Sequence, residues 1–244
     1  MNLIMIYINH KKRCIFIHIP KTGGSYIGPT LVKYYGFVSY LPLINNRRPD
    51  HNIICQTNKY NMVLTNNYTY DNSFFNKTVG LLVYCKTSDY LNNVMNMNED
   101  KWNTYTKFCF IRNPYDRVLS GWKHFDIIFQ RNSDFYNYLS QANIKNSISD
   151  IEYGHVFMSQ KIQIQDVNGN CGVDIIGKFE NLEEDFKTIL KQLGFEKIIH
   201  MEKKVNVSNK DGSEKIVYET RTIQKINELF DDDLITFHYK KLLV

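Results

Sequence analysis

Two short stretches of this chain collect residues that attract anions. In Pro20-Lys21-Thr22-Gly23-Gly24-Ser25, a lysine, two hydroxyl side chains and two glycines follow a β-forming run. Glycine frees backbone amides from side-chain bulk, and amides at a helix start sit at the positive end of its dipole. The second stretch is Phe108-Cys109-Phe110-Ile111-Arg112, with Ser120 two turns into the segment that follows. A guanidinium at a strand end, joined by a helix hydroxyl, suits a phosphate held by two parallel donors. One nucleotide phosphorylated at two separate places would need both stretches at once. Each stretch also has a plain structural reading. The first would be a glycine turn between strand and helix, and the second an ion pair of Arg112 with Asp116.

The pattern departs from that of a magnesium-dependent ATPase or kinase. That chemistry wants G-x-x-x-x-G-K-[ST], whereas Lys21 precedes both glycines and no glycine lies upstream. It also wants an acidic residue ending a neighbouring strand to hold magnesium, and the strand here ends in Arg112. The five cysteines (Cys14, Cys55, Cys85, Cys109, Cys171) form no CxxC pair, so no metal site is expected.

These residues need elements that position them. Residues 13–19 are β-branched and aromatic and predict a strand. Helical spacing of Ile27, Leu31 and Tyr34 or Tyr35 predicts a helix over 25–35, its first turns bent or delayed by Gly28-Pro29. Residues 41–77 are polar and Asn-rich and predict loops with short strands. Residues 79–84 predict a buried strand, followed by a helix to about Met97. Residues 107–111 predict another strand. Asn113 then caps a helix running to about Phe129, with Pro114 at its first position and Asp116 in its first turn. A strand over 173–176 precedes a helix over 182–193, opened by an Asn181/Glu184 capping box and stopped at Gly194. Two last helices cover about 219–230 and 233–242. Strands alternating with helices predict an α/β fold: a central, mainly parallel sheet covered on both faces, in one domain spanning 1–244.

Composition narrows the classes further. A 244-residue chain that is 43% hydrophobic can bury one good core. A net charge of +5 falls short of the balance of a nucleic-acid binder, so no nucleic-acid partner is expected. No apolar run is long enough to span a bilayer, and the N-terminus does not read as a secretory signal. Cys14 and Cys109 read as small core residues, and free thiols suggest a reducing compartment. A cytoplasmic location is therefore expected.

"FIHIPKTGGS" and "FCFIRNPYDRVLSGW" resemble the two nucleotide-binding motifs of sulfotransferases that use 3′-phosphoadenosine 5′-phosphosulfate (PAPS). The resemblance is to the carbohydrate, Golgi-type branch that includes heparan sulfate 6-O-sulfotransferases. "HVFMSQ", "VDIIGKFENLEEDF" and "YETRTIQKINELFDDDLITFHY" look like the same family, and only about 38–78 diverges. The resemblance implies a P-loop-like three-layer α/β/α fold. It implies that Lys21, Thr22, Gly23, Gly24 and Ser25 hold the 5′-phosphosulfate, and that Lys21 neutralises charge on the bridging oxygen. Arg112 and Ser120 would hold the 3′-phosphate, with adenosine 3′,5′-bisphosphate as product and no metal. The acceptor implied is a hydroxyl, most naturally that of a glycan. Golgi relatives carry a membrane anchor, which conflicts with the cytoplasmic expectation.

A sugar hydroxyl is a poor nucleophile, and a general base supplies roughly 10²–10⁴ in rate. In related enzymes a histidine stands before the second motif; the position here holds Cys85, in "LLVYCKTSDYL". Lys86 and a helix start there would lower a thiol pKa. The candidates for the base are Cys85, then His124, about one turn past Ser120 on the same face, then His51. His18 is expected to be held in the sheet and to orient the turn, and His155 resembles a position near the acceptor. Arg47-Arg48 and Lys203-Lys204 would rim an anionic glycan, or be solvated surface. Two rivals stay open: a small-molecule kinase, and a nucleotide-binding relative that has lost its base.

Overall fold

The computed structural model describes residues 2–3, 5–40, 43–44, 62–63, 99–143, 156–166, 169–199 and 218–244. The expected strand at 79–84, the helix after it and most of 41–77 lie outside these residues. The strands are β1 (Asn2–Leu3), β2 (Met5–Asn9), β3 (Cys14–His18), β4 (Val38–Tyr40), β5 (Leu43–Ile44), β6 (Met62–Val63), β7 (Thr106–Ile111) and β8 (Ile175–Lys178). Six of them form one sheet in the order β6-β4-β2-β3-β7-β8, and β1 pairs separately with β5. Around the sheet lie α1 (Gly24–Tyr35), α2 (Glu99–Thr104), α3 (Pro114–Phe129), α4 (Phe135–Ser140), α5 (Gln160–Ile164), α6 (Leu182–Gln192), α7 (Thr220–Leu229) and α8 (Asp231–Thr236).

The α/β expectation holds, with one modification. β3, β7 and β8 run parallel, as do β4 and β6, but β2 is antiparallel to both of its neighbours. The apolar N-terminal run is thus a strand in the middle of the sheet, folded back by a tight turn. Asn9 closes that turn by accepting from the Lys12 amide at 2.8 Å. Its Nδ2 donates to the Tyr35 carbonyl at 2.7 Å, fastening the end of α1 to the same turn.

Strand alternation decides what each face buries. Tyr7, Phe16 and Phe108 lie opposite one another on β2, β3 and β7, with ring centroids 5.6 and 5.2 Å apart. Onto this aromatic row pack Ile27 and Leu31 of α1 and Phe186, Ile189 and Leu190 of α6. The alternate residues Ile6, Ile8, Ile15, Ile17, Cys109 and Ile111 are equally buried, so both faces of the sheet are covered. A second core joins α3, α4, α7 and α8 through Val118, Phe125, Leu139, Ile226 and Leu234. Cys14 and Cys109 are fully buried, and burial pushes the Cys14 thiol up to about 12.

Several local expectations change. α1 starts at Gly24 and runs to Tyr35 with Pro29 inside it, so Gly28-Pro29 does not delay it. Gly28 serves packing instead: a Cβ there would lie 2.1 Å from the Tyr7 hydroxyl. β8 sits two residues later than 173–176, at Ile175–Lys178. Asn181 makes no side-chain cap; the Asp185 carboxylate accepts from the Lys178 amide at 2.6 Å and ties strand to helix. The final helix ends at Thr236, short of 242. The α3 reading holds: Asn113 accepts from the Tyr115 amide, Pro114 opens the helix, and Phe129 ends it.

Candidate active site

The glycine loop leaves β3 at the carboxyl end of the parallel strands and enters α1, where such folds hold their ligands. Three consecutive carbonyls on its approach are captured by side chains. Thr22 Oγ1 donates to the Ile19 carbonyl at 2.7 Å, Arg117 Nε to that of Pro20 at 3.2 Å, and Arg112 Nη1 to that of Lys21 at 3.3 Å. These bonds hold Lys21 at φ 69°, a left-handed conformation that costs a non-glycine residue about 1 kcal/mol or more. Gly23 follows at φ 90° and caps α1, its carbonyl accepting from the amides of Tyr26 and Ile27. The amides that open a helix have no partner within it and are free to face a ligand.

Thr22 differs from the expectation that its hydroxyl faces an anion. It is fully buried, and the hydroxyl fastens the turn. Ser25 is exposed at the loop surface. His18 ends β3 with its ring under the loop, where a Cβ on Gly24 would lie 1.8 Å from Nε2. His18 is thus in the sheet as expected, and its ring fills the space that a Cβ on Gly24 would need.

Arg112 follows the last residue of β7 and does not pair with Asp116. Its guanidinium lies 4.3 Å over the Phe179 ring, and its buried Nε has no hydrogen-bond partner among the described residues. Neither Arg112 nor Lys21 forms an ion pair with a described carboxylate. Burial, then the charges of Arg112 and Arg117, lower the Lys21 pKa to about 8. Burial also lowers that of Arg112. The charges of Asp116 and Glu180 act on Arg112 without reaching ion-pair distance, so two half-buried cations stand close together, one with an unused donor among the described residues.

Ser120 lies half-buried on α3, and His124 follows one turn later on its exposed part. Partial burial and the charge of Lys21 hold the His124 pKa below its ordinary value. The structure therefore brings Lys21 and Arg112 together and leaves His124 within electrostatic reach of Lys21. Cys85, His51, His155, Arg47-Arg48 and Lys203-Lys204 lie outside the described residues.

Arg117 escaped the sequence reading. It is fully buried on α3 and donates through Nη1 to the Val156 and Met158 carbonyls as well as through Nε to Pro20. Its signal was in the sequence: Pro114, Arg117, Val118, Gly121 and Phe125 form the buried stripe of the helix, and one member is charged.

The sheet thus carries a strand–glycine loop–helix unit and, at the end of the neighbouring strand, a cation. A model of the sulfotransferase family matches residues 5–240, and the chain belongs to that family. An uncharacterized protein of Archaeoglobus fulgidus is 29% identical over 116 residues, covering 46% of this chain and 86% of that protein. No solved structure matches. No helix among the described residues is long and apolar enough to cross a membrane.

Proposed function

We propose that the chain transfers the sulfuryl group of PAPS to a hydroxyl of a carbohydrate, in the manner of the Golgi-type branch. The observation that carries the donor reading is the pair of cations at one sheet end. Lys21 in the glycine loop and Arg112 with its unpartnered Nε stand joined through the Lys21 carbonyl. PAPS presents anions at two places, the 5′-phosphosulfate and the 3′-phosphate. The donor set fits this: helix-start amides and Lys21 for the first, the Arg112 fork with Ser120 for the second.

In the transfer, the bond from sulfur to the bridging phosphate oxygen breaks while the acceptor oxygen bonds to sulfur. Negative charge grows on the bridging oxygen, and Lys21 stabilises it as a positioned cation. The proton of the acceptor hydroxyl must leave to a base. His124, whose neutral form is favoured by partial burial and by the charge of Lys21, is one candidate, and Cys85 and His51 stay as alternatives. Resemblance to heparan sulfate 6-O-sulfotransferases supports a glycan acceptor.

Calorimetry with adenosine 3′,5′-bisphosphate, ADP and Mg-ATP tests the donor reading, on the wild type and Arg112→Ala. Preference for the 3′-phosphorylated nucleotide, lost in the variant, is the expected result. Equal or tighter binding of Mg-ATP would overturn it in favour of a kinase.

A further inference from the structure

Arg112 stands just past the end of the β7 ladder, where its main chain has no described strand partner. On the β8 side the register ends at Ile111↔Lys178, and on the β3 side it ends earlier, at Ile17↔Cys109. A side chain takes the place of the missing strand. Gln160 Oε1 accepts from the Arg112 amide at 2.8 Å, and Gln160 Nε2 donates to the Arg112 carbonyl at 2.8 Å. A primary amide paired face to face with a peptide group reproduces both bonds of a sheet pair and fixes one residue in two places.

Gln160 is itself immobilised. It is fully buried, and its backbone amide donates to Asp233 Oδ2 at 2.8 Å. Asp233 is also fully buried and accepts from Ser159 Oγ at 2.6 Å and the Lys161 amide at 2.9 Å. Gln160 Nε2 reaches the same carboxylate at 3.4 Å. The Asp233 charge also favours the protonated form of Arg117, which holds the Pro20 carbonyl. A carboxylate near the chain's C-terminus thus acts on both halves of the candidate site.

We propose that Gln160, held by Asp233, is a positioning residue that sets the Arg112 guanidinium for the 3′-phosphate of the nucleotide. This rests on the donor reading above. A guanidinium on an unpinned strand end would lose its alignment over Phe179 and toward Lys21, and a misplaced fork loses bidentate geometry before it loses charge. Gln160 acts through Arg112, so its removal weakens recognition of one phosphate and leaves the rest of the nucleotide site standing.

The experiment measures binding of adenosine 3′,5′-bisphosphate and of adenosine 5′-monophosphate to the full chain, for wild type and Gln160→Met. Methionine keeps the length of the side chain and removes both bonds to Arg112. The expected result is about tenfold weaker binding of the bisphosphate, with the monophosphate changed by less than about twofold. Equal losses for both nucleotides, or none for either, would overturn the proposal and leave Gln160 as a structural residue at the start of α5. A wild type that does not prefer the bisphosphate would overturn the donor reading and this proposal with it. If Gln160→Met fails to fold, the same comparison on Gln160→Leu decides, since it also removes both bonds to Arg112 and leaves the Asp233 carboxylate and its effect on Arg117 in place.

Discussion

Arg112 donates to the carbonyl of Lys21 across 3.3 Å, so the two cations of the site are coupled through main chain as well as through charge. Each disfavours the other's protonated form unless an anion lies between them. Arg112→Lys tests whether charge alone suffices. A lysine keeps the charge but loses the fork, the plane that stacks on Phe179 and the reach to the Lys21 carbonyl. Affinity for adenosine 3′,5′-bisphosphate should fall by roughly 10–100-fold, measured by calorimetry. Retention of wild-type affinity would reduce the site to a general positive field.

The pH dependence of Lys21 has opposite signs for stability and for binding. Its folded pKa of about 8 lies below the ordinary lysine value of 10.5, so between these the unfolded chain binds more protons. This group's contribution to the stability of the nucleotide-free protein therefore rises from pH 8 toward pH 10.5. Its penalty is fully present below pH 8. Nucleotide affinity runs the other way, since an anion favours protonated Lys21, and it should weaken as pH rises above about 8. Calorimetric titrations at pH 7 and 9.5 check this, and Lys21→Met should flatten the slope. An affinity that strengthens with pH would place Lys21 away from the nucleotide.

Arg117 should matter to the fold and the loop together. Arg117→Met would strand the Pro20, Val156 and Met158 carbonyls and leave Asp233 without a cation that favours its charge. Three stranded buried acceptors together cost about 3–5 kcal/mol. The melting temperature should drop by roughly 10 °C, read by calorimetry or circular dichroism. A shift of under about 2 °C would mean that water replaces all three bonds.

The strand–loop–helix unit around Lys21 and the strand end at Arg112 were legible because each is local: a few consecutive residues carry strand end, loop and helix start. The Asn113-Pro114 start of α3 was legible for the same reason. What escaped depends on contacts between distant segments. Arg117 and Asp233 read as ordinary helix charges, yet each falls in phase with apolar neighbours. Phe230, Asp233, Leu234 and Phe237 are buried at helical spacing, as are Val118, Gly121 and Phe125 beside Arg117. A charge inside an apolar stripe marks a buried polar network, but its partners cannot be named before the fold is known. β2 escaped altogether, because a short apolar run before the first motif states neither its partners nor its direction. The Asn181 cap failed because Asp185, a turn later, secures the strand-to-helix junction.

The two loop glycines are required for different reasons, and a double substitution separates them. Gly23 stands at φ 90°, where any L side chain is strained, and its Cβ would also come within 3.1 Å of the Phe179 ring. Gly23→Ala should therefore cost about 1–2 kcal/mol of stability whatever its neighbours are. Gly24 has no such backbone demand, but its Cβ would fall 1.8 Å from His18 Nε2. Gly24→Ala must displace the imidazole that ends β3, which would shift the loop and weaken nucleotide binding. Removing the ring should relieve this. His18→Ala combined with Gly24→Ala should recover most of the loss, with a coupling of more than about 1 kcal/mol in a double-mutant cycle. His18→Ala combined with Gly23→Ala should be additive, since the strain at Gly23 is in its own backbone. Equal coupling in both pairs would mean that His18 supports the whole loop rather than filling the space beside Gly24.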